Sequence, residues 1–135
     1  MSYEAERPVP GPDRRQFPRV DLSTSVEMED PQGVRWTLAT NNISRRGLQV
    51  RCSREVALEV VRSCRGAASV GDPLLTVRLR LGAAEAGGRP FVAGCRLVYA
   101  RPVSQEEFAL GLEYAGFEGE SHEALQGYIL DSLRY

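Results

Sequence analysis

Apolar and polar residues take turns along most of this chain, a period of two that sends one set of side chains to a buried face and the other to solvent. Leu22, Thr24, Val26 and Met28 alternate with Ser23, Ser25, Glu27 and Glu29. Asp30-Pro31-Gln32-Gly33 fits a type I turn, with proline second and glycine fourth. Val34, Trp36 and Leu38 continue on the returning strand, where Trp36 is expected in the core. A third run carries Leu48, Val50 and Cys52, and a fourth sets Leu75, Val77, Leu79 and Leu81 against Thr76, Arg78 and Arg80. The glycine-rich stretch from Gly82 to Gly88 breaks that run. Residues 91 to 101 form another strand, whose inward parity stays open because both alternating sets are partly apolar. Phe108, Leu110, Leu112 and Tyr114 complete the pattern against Ala109, Gly111 and Glu113. Six short strands joined by turn chemistry predict an antiparallel barrel or sandwich.

Two segments have a helical period instead. Ser121 is placed to cap a closing helix in which Leu125, Tyr128, Ile129 and Leu133 recur at spacings of three and four, so that one face packs on the sheet. The second candidate, near residues 54 to 65, runs from Ser53 to a stop at Gly66 with Val56, Val60, Val61 and Cys64 on one side. Residues 1 to 13 are rich in proline, glycine and charge without an apolar period, which reads as a flexible N-terminal arm. Residues 14 to 135 are then a single domain, large enough to bury an ordinary core.

Composition narrows the functional classes. The net charge is −1 and the pI near 5.9, so the protein as a whole has no field to gather duplex nucleic acid or an acidic membrane. An anion site must be local. All 17 basic residues are arginine, and five of them, Arg14, Arg15, Arg19, Arg45 and Arg46, fall in two short segments. Cys52, Cys64 and Cys95 lie far apart, and His122, the single histidine, reads as a surface residue. That spacing offers no zinc site, and an odd cysteine count argues against a disulfide framework. The thiols are expected reduced in the core of a cytoplasmic protein. No secretory leader or bilayer-length apolar run is present, so no membrane insertion is expected. Neither a glycine-rich phosphate loop, nor an activated nucleophile, nor a metal set can be found in the sequence. An enzyme or a resident cofactor is not expected.

The chemistry concentrates in Arg14-Arg15-Gln16-Phe17-Pro18-Arg19 and in Asn42-Ile43-Ser44-Arg45-Arg46-Gly47, each just before a strand. Guanidinium forks hold a phosphate bidentately or lie flat on a base. Asn42 and Ser44 add neutral donors and acceptors for a base edge. Gly47 allows a turn with positive φ or a close approach to the backbone. Pro18 disfavours helical geometry at Phe17, so the arginines sit on an extended link that spans at most about 13 Å.

RQFPR, from Arg15 to Arg19, followed by NISRRG, from Asn42 to Gly47, resembles the PilZ domain family of bacterial cyclic di-GMP receptors. The LGLEY run from Leu110 to Tyr114 and the closing amphipathic segment extend the resemblance over roughly residues 14 to 135. It implies a mainly β fold, a six-stranded antiparallel barrel of the PilZ-like split-barrel type with a C-terminal helix. By the resemblance, Arg15 and Arg19 hold guanine faces and phosphates, Asn42 and Ser44 read a guanine edge, and Gly47 keeps the loop tight. Arg14 adds one more fork and is expected to favour a self-stacked pair of ligands, while Arg46, Tyr99 and Arg101 extend the surface. The implied function is a receptor or adaptor that orders its arginine arm on cyclic di-GMP and signals through a downstream protein partner, with no nucleic-acid role. The alternative is a PilZ-like protein-protein interaction module that does not bind nucleotide. Asn42 stands where many relatives carry Asp, which bears on the guanine-edge contact.

Overall fold

The computed structural model of the chain describes residues 19–66, 75–82 and 88–133. Seven strands and two helices follow one another. They are β1 (Val20–Asp21), β2 (Ser25–Glu29), β3 (Arg35–Ile43), β4 (Gly47–Ser53), α1 (Arg54–Gly66), β5 (Leu75–Leu81), β6 (Arg89–Pro102), β7 (Glu107–Phe117) and α2 (Ser121–Ser132). The strands pair antiparallel in the order β3-β2-β5-β6-β7-β4, and a β3–β4 pairing closes the ring. The expected six-stranded barrel is therefore present, with β1 as an additional short strand on β3.

Inward positions follow the alternation. Val26, Met28, Trp36, Leu38, Leu48, Val50, Val77, Phe91, Cys95 and Leu110 all lie in the core, where their burial supplies the main driving force. Val34 departs from the pattern: it precedes β3 at the turn and is exposed. The turn itself forms as expected. Gly33 N–H donates to the Asp30 carbonyl at 3.1 Å, and the Gln32 and Val34 N–H groups donate to Asp30 Oδ1, both at 2.9 Å. Ser63 Oγ of α1 donates to the other carboxylate oxygen at 2.7 Å.

The run from Leu22 to Glu29 is not one strand. Thr40 interrupts it: its buried hydroxyl accepts from Thr24 N–H at 2.8 Å and lies 2.9 Å from the Leu22 and Thr24 carbonyls. A side chain thus replaces ladder partners, and β1 splits from β2.

Among the described residues the sheet has three register shifts, one between β3 and β4 and two between β6 and β7, and two of them decide which face the residues near the Ser44–Gly47 loop take. In β3 the register steps from Thr40↔Val50 to Asn42↔Gln49, so Asn41 is the extra residue. In β6 it steps from Leu97↔Leu112 to Tyr99↔Gly111, so Val98 is extra. Each insertion flips the alternation beyond it. Asn42 faces out while Ile43 is buried, and Tyr99 lies over the outward Gly111. This resolves the parity that the sequence left open.

α1 packs Ala57 and Val60 into the core and lies against β4, β6 and β7. Val56 N–H donates to Ser53 Oγ at 3.1 Å, so Ser53 caps the helix start as its position suggests. α2 lies against β5 and β6 with Ala124, Leu125 and Ile129 buried. Its start differs from expectation. Glu120 holds the cap position without a side-chain bond, and Ser121 is the first helical residue, its hydroxyl accepting from Val92 N–H of β6 at 2.8 Å. Leu133 falls beyond the helix and is exposed rather than packed. No described helix is long and apolar enough to cross a membrane.

Candidate functional site

β1 pairs with the last turn of β3, matching Val20 to Ile43 and Asp21 to Asn42. That short ladder brings the end of the first arginine segment onto the second motif. Arg19 Nη1 donates to Asn42 Oδ1 at 2.8 Å, and Val20 packs against the core. Arg14, Arg15 and Phe17 lie outside the described residues.

The Ser44–Gly47 loop leads from β3 into β4. Ser44 N–H donates to the Gly47 carbonyl at 2.8 Å, and Ser44 Oγ accepts from Arg46 N–H at 3.2 Å and from Gly47 N–H at 3.3 Å. Ser44 is buried, and its hydroxyl holds the turn. Gly47 does not have a positive φ. It is a glycine because a Cβ there would overlap the Leu112 carbonyl of β7, so the close approach is to the protein's own backbone.

A cleft of about 200 Å³ opens beside this loop, lined by Arg19, Ser44, Arg46, Gly47, Leu48, Val98, Tyr99, Gly111, Leu112 and Glu113. The Arg46 guanidinium pairs with Glu113 at 2.9 Å on its rim, while Arg45 faces solvent. The Tyr99 ring occupies the space that a side chain at Gly111 would need. Arg101 places its guanidinium 5.0 Å from the ring centre, a cation-π contact. Arg19, Arg46 and Arg101 thus set three positive charges against the carboxylate of Glu113, a balance suited to an anion with aromatic parts.

Five of the residues singled out in the sequence, Arg19, Ser44, Arg46, Gly47 and Tyr99, line one cleft. Asn42 joins them through Arg19, and Arg101 through Tyr99. Sequence reasoning missed Asn41, Gln49, Val98 and Glu113. Asn41 Nδ2 donates to Gln49 Oε1, and Gln49 Nε2 donates to the Tyr99 hydroxyl oxygen at 2.6 Å. A polar residue facing outward on a strand gives no signal of its own. Gly111 inside an otherwise apolar strand was the one available clue to a close approach.

Under the site, Tyr114 packs with Phe91 and Phe117 at ring separations of 5.6 and 5.1 Å. Burial pushes its phenol well above the usual tyrosine range, Cys95 adds to that, and the Arg19 charge opposes it. Its hydroxyl has no partner among the described residues. Cys52, Cys64 and Cys95 are free thiols. Burial raises all three, with Cys52 pushed up to about 11 and Cys95 to about 12. Among the described residues no group of His, Cys, Asp and Glu could hold a metal ion. His122 is exposed, its ring 4.9 Å from that of Phe117.

Comparison with known proteins places this geometry in context. The PilZ domain family model matches residues 13–131. No curated protein matches the chain. Among solved structures, the inhibitor of motility MotI/DgrA of Bacillus subtilis is 21% identical with a TM-score of 0.62, covering 90% of this chain and 52% of that one. The chain thus spans about half of that relative. The PilZ domain of YcgR from Escherichia coli, solved with c-di-GMP, is 10% identical with a TM-score of 0.57 over 89% of this chain and 92% of that one. The PilZ domain of CeSA from a cellulose synthesizing bacterium is 15% identical with a TM-score of 0.53 over 84% and 95%. These likenesses fix the fold, and the family model matches nearly the whole chain: this protein belongs to the PilZ domain family.

Proposed function

We propose that the chain is a cyclic di-GMP receptor, an adaptor without catalytic activity of its own, that works in the cytoplasm through a downstream protein. One observation carries this reading: the 2.8 Å bond from Arg19 to Asn42 joins the two arginine-bearing motifs on one rim of the barrel. The family match and the ligand held by YcgR support the same chemistry here.

In this reading Arg15 and Arg19 clamp guanine faces and phosphates, and Asn42 reads a guanine edge. Asn42 is then released from Arg19 as the ligand enters. Ser44, with its hydroxyl engaged in the turn, and Gly47, pressed on β7, contribute by fixing the loop. Arg46, Tyr99 and Arg101 extend the binding surface. Arg14 supplies a further fork that favours a self-stacked ligand pair. Ligand draws the segment carrying Arg14 and Arg15 onto the barrel, and the composite surface is what a partner protein reads. Ordering that segment consumes part of the interaction energy, which sets the affinity near micromolar, about −8 kcal/mol.

Calorimetric titration with cyclic di-GMP, against cyclic di-AMP and GTP as controls, is the direct test. Arg15→Ala and Arg19→Ala are each expected to abolish binding while leaving the thermal melt in place. Wild-type affinity in either variant removes the assigned site. Two ligands per chain are expected, and one per chain defeats the paired arrangement. No binding by the wild type favours the interaction module without nucleotide.

A further inference from the structure

Neither motif contains the chain of polar groups that runs from Asn41 through Gln49 to Tyr99, the member that lines the cleft. Gln49 is only 6% exposed, and both ends of its amide are bonded inside the protein. The direction of those bonds matters. An amide whose oxygen accepts from Asn41 presents its NH₂ to the Tyr99 oxygen, and a phenol that accepts in this way keeps its own proton for another acceptor. Among the described residues, the Tyr99 hydroxyl donates to none.

The ring has little freedom to turn that proton elsewhere. The β6 bulge at Val98 sets Tyr99 opposite Gly111, the absent Cβ of Gly111 gives the ring its place, and Arg101 stands over it. Arg19 and Arg46 line the same cleft. A donor held beside guanidinium groups, with no carboxylate among the described residues bonded to it, suits an oxygen acceptor on an anionic ligand.

We infer that Tyr99 donates a hydrogen bond to an oxygen of the bound ligand, and that Asn41 and Gln49 are positioning residues that aim its proton into the cleft. The inference rests on the receptor reading above and takes the cyclic dinucleotide, through a phosphate or purine carbonyl oxygen, as the acceptor.

The test compares cyclic di-GMP binding by the wild type, Tyr99→Phe, Gln49→Met and the double variant. Tyr99→Phe keeps the ring and is expected to weaken binding about tenfold, the scale of one hydrogen bond to a charged group. Gln49→Met is expected to weaken it several-fold, and that loss should vanish in the Tyr99→Phe background, because the two residues act as one unit. In protein carrying isotope-labelled tyrosine, ligand should shift the resonance of the Tyr99 hydroxyl-bearing carbon. Gln49→Glu, whose carboxylate accepts the Tyr99 proton, should shift that resonance before ligand is added and blunt the response afterwards. Should a Gln49 variant fail to fold, Tyr99→Phe affinity and the wild-type resonance decide the matter. Unchanged affinity in Tyr99→Phe, a resonance indifferent to ligand, or additive losses overturns the inference while the receptor reading stands. Failure of the wild type to bind overturns both.

Discussion

Two glycines show how single residues shape this site. Gly47 and Gly111 both lie where another part of the protein occupies the space of a side chain, backbone in the first case and the Tyr99 ring in the second. The two should respond differently to substitution. Gly47→Ala forces the Leu112 carbonyl to move and is expected to destabilise the barrel by about 1–3 kcal/mol, read as a lower denaturant midpoint with an unchanged slope. Gly111→Ala displaces a side chain rather than backbone, so its cost should fall on ligand affinity more than on folding. Gly47 was expected to matter through a positive φ or a ligand's approach, and the physical reason is instead the contact between β4 and β7. Ser44 likewise works within the loop. A motif read along the chain identifies the positions, whereas the three-dimensional neighbours decide what each one does.

At the scale of elements, Asp30 ties the β2–β3 turn to α1. Burial opposes its charge, but the bonds from Ser63, Val34 and Gln32 outweigh that and hold its carboxyl below the usual value. A depressed folded-state pKa contributes stability that is present above the unfolded pKa, about 3.9, and is lost as pH falls through the folded value. Asp30→Asn should therefore cost about 1.5–3 kcal/mol at pH 7, the scale of hydrogen bonds to a charged group. Urea midpoints should show the variant losing less than the wild type between about pH 4 and pH 2. Much of this level was legible in the sequence: the strand runs, the Asp30–Gly33 turn, the Ser53 cap and the closing helix all follow from period and punctuation. Two of the exceptions share one cause, which is a bond to a distant residue. Thr40 splits β1 from β2, and Val92 claims the Ser121 hydroxyl. The β6 parity could not be read because the bulge at Val98 reverses it midway.

For the molecule as a whole, closure of the ring between β3 and β4 places the Ser44–Gly47 loop at the joint. Positive charge gathers there, although the net charge is −1. Glu27, Glu29, Arg35 and Arg78 instead neutralise one another on the outside of β2, β3 and β5. Affinity for cyclic di-GMP should accordingly fall as salt rises from about 0.05 to 0.5 M, since exposed guanidinium-phosphate attraction is screened within about 10 Å at 0.1 M. Titrations across that range check the expectation, and an affinity indifferent to salt would exclude an arginine clamp. The β3 bulge carries one further consequence. Because Asn41 is the uncounted residue of its strand, the bulge itself fixes the faces beyond it: a strand of the same length drawn without the bulge would carry Asn42 into the oil of the interior and push Ile43 into water, whereas deleting Asn41 leaves Thr40 and Ile43 inward with Asn42 between them facing out. The outward placement of Asn42 thus depends on a kink being kept in a strand of this length, a constraint that a tally of favourable side chains would never reveal.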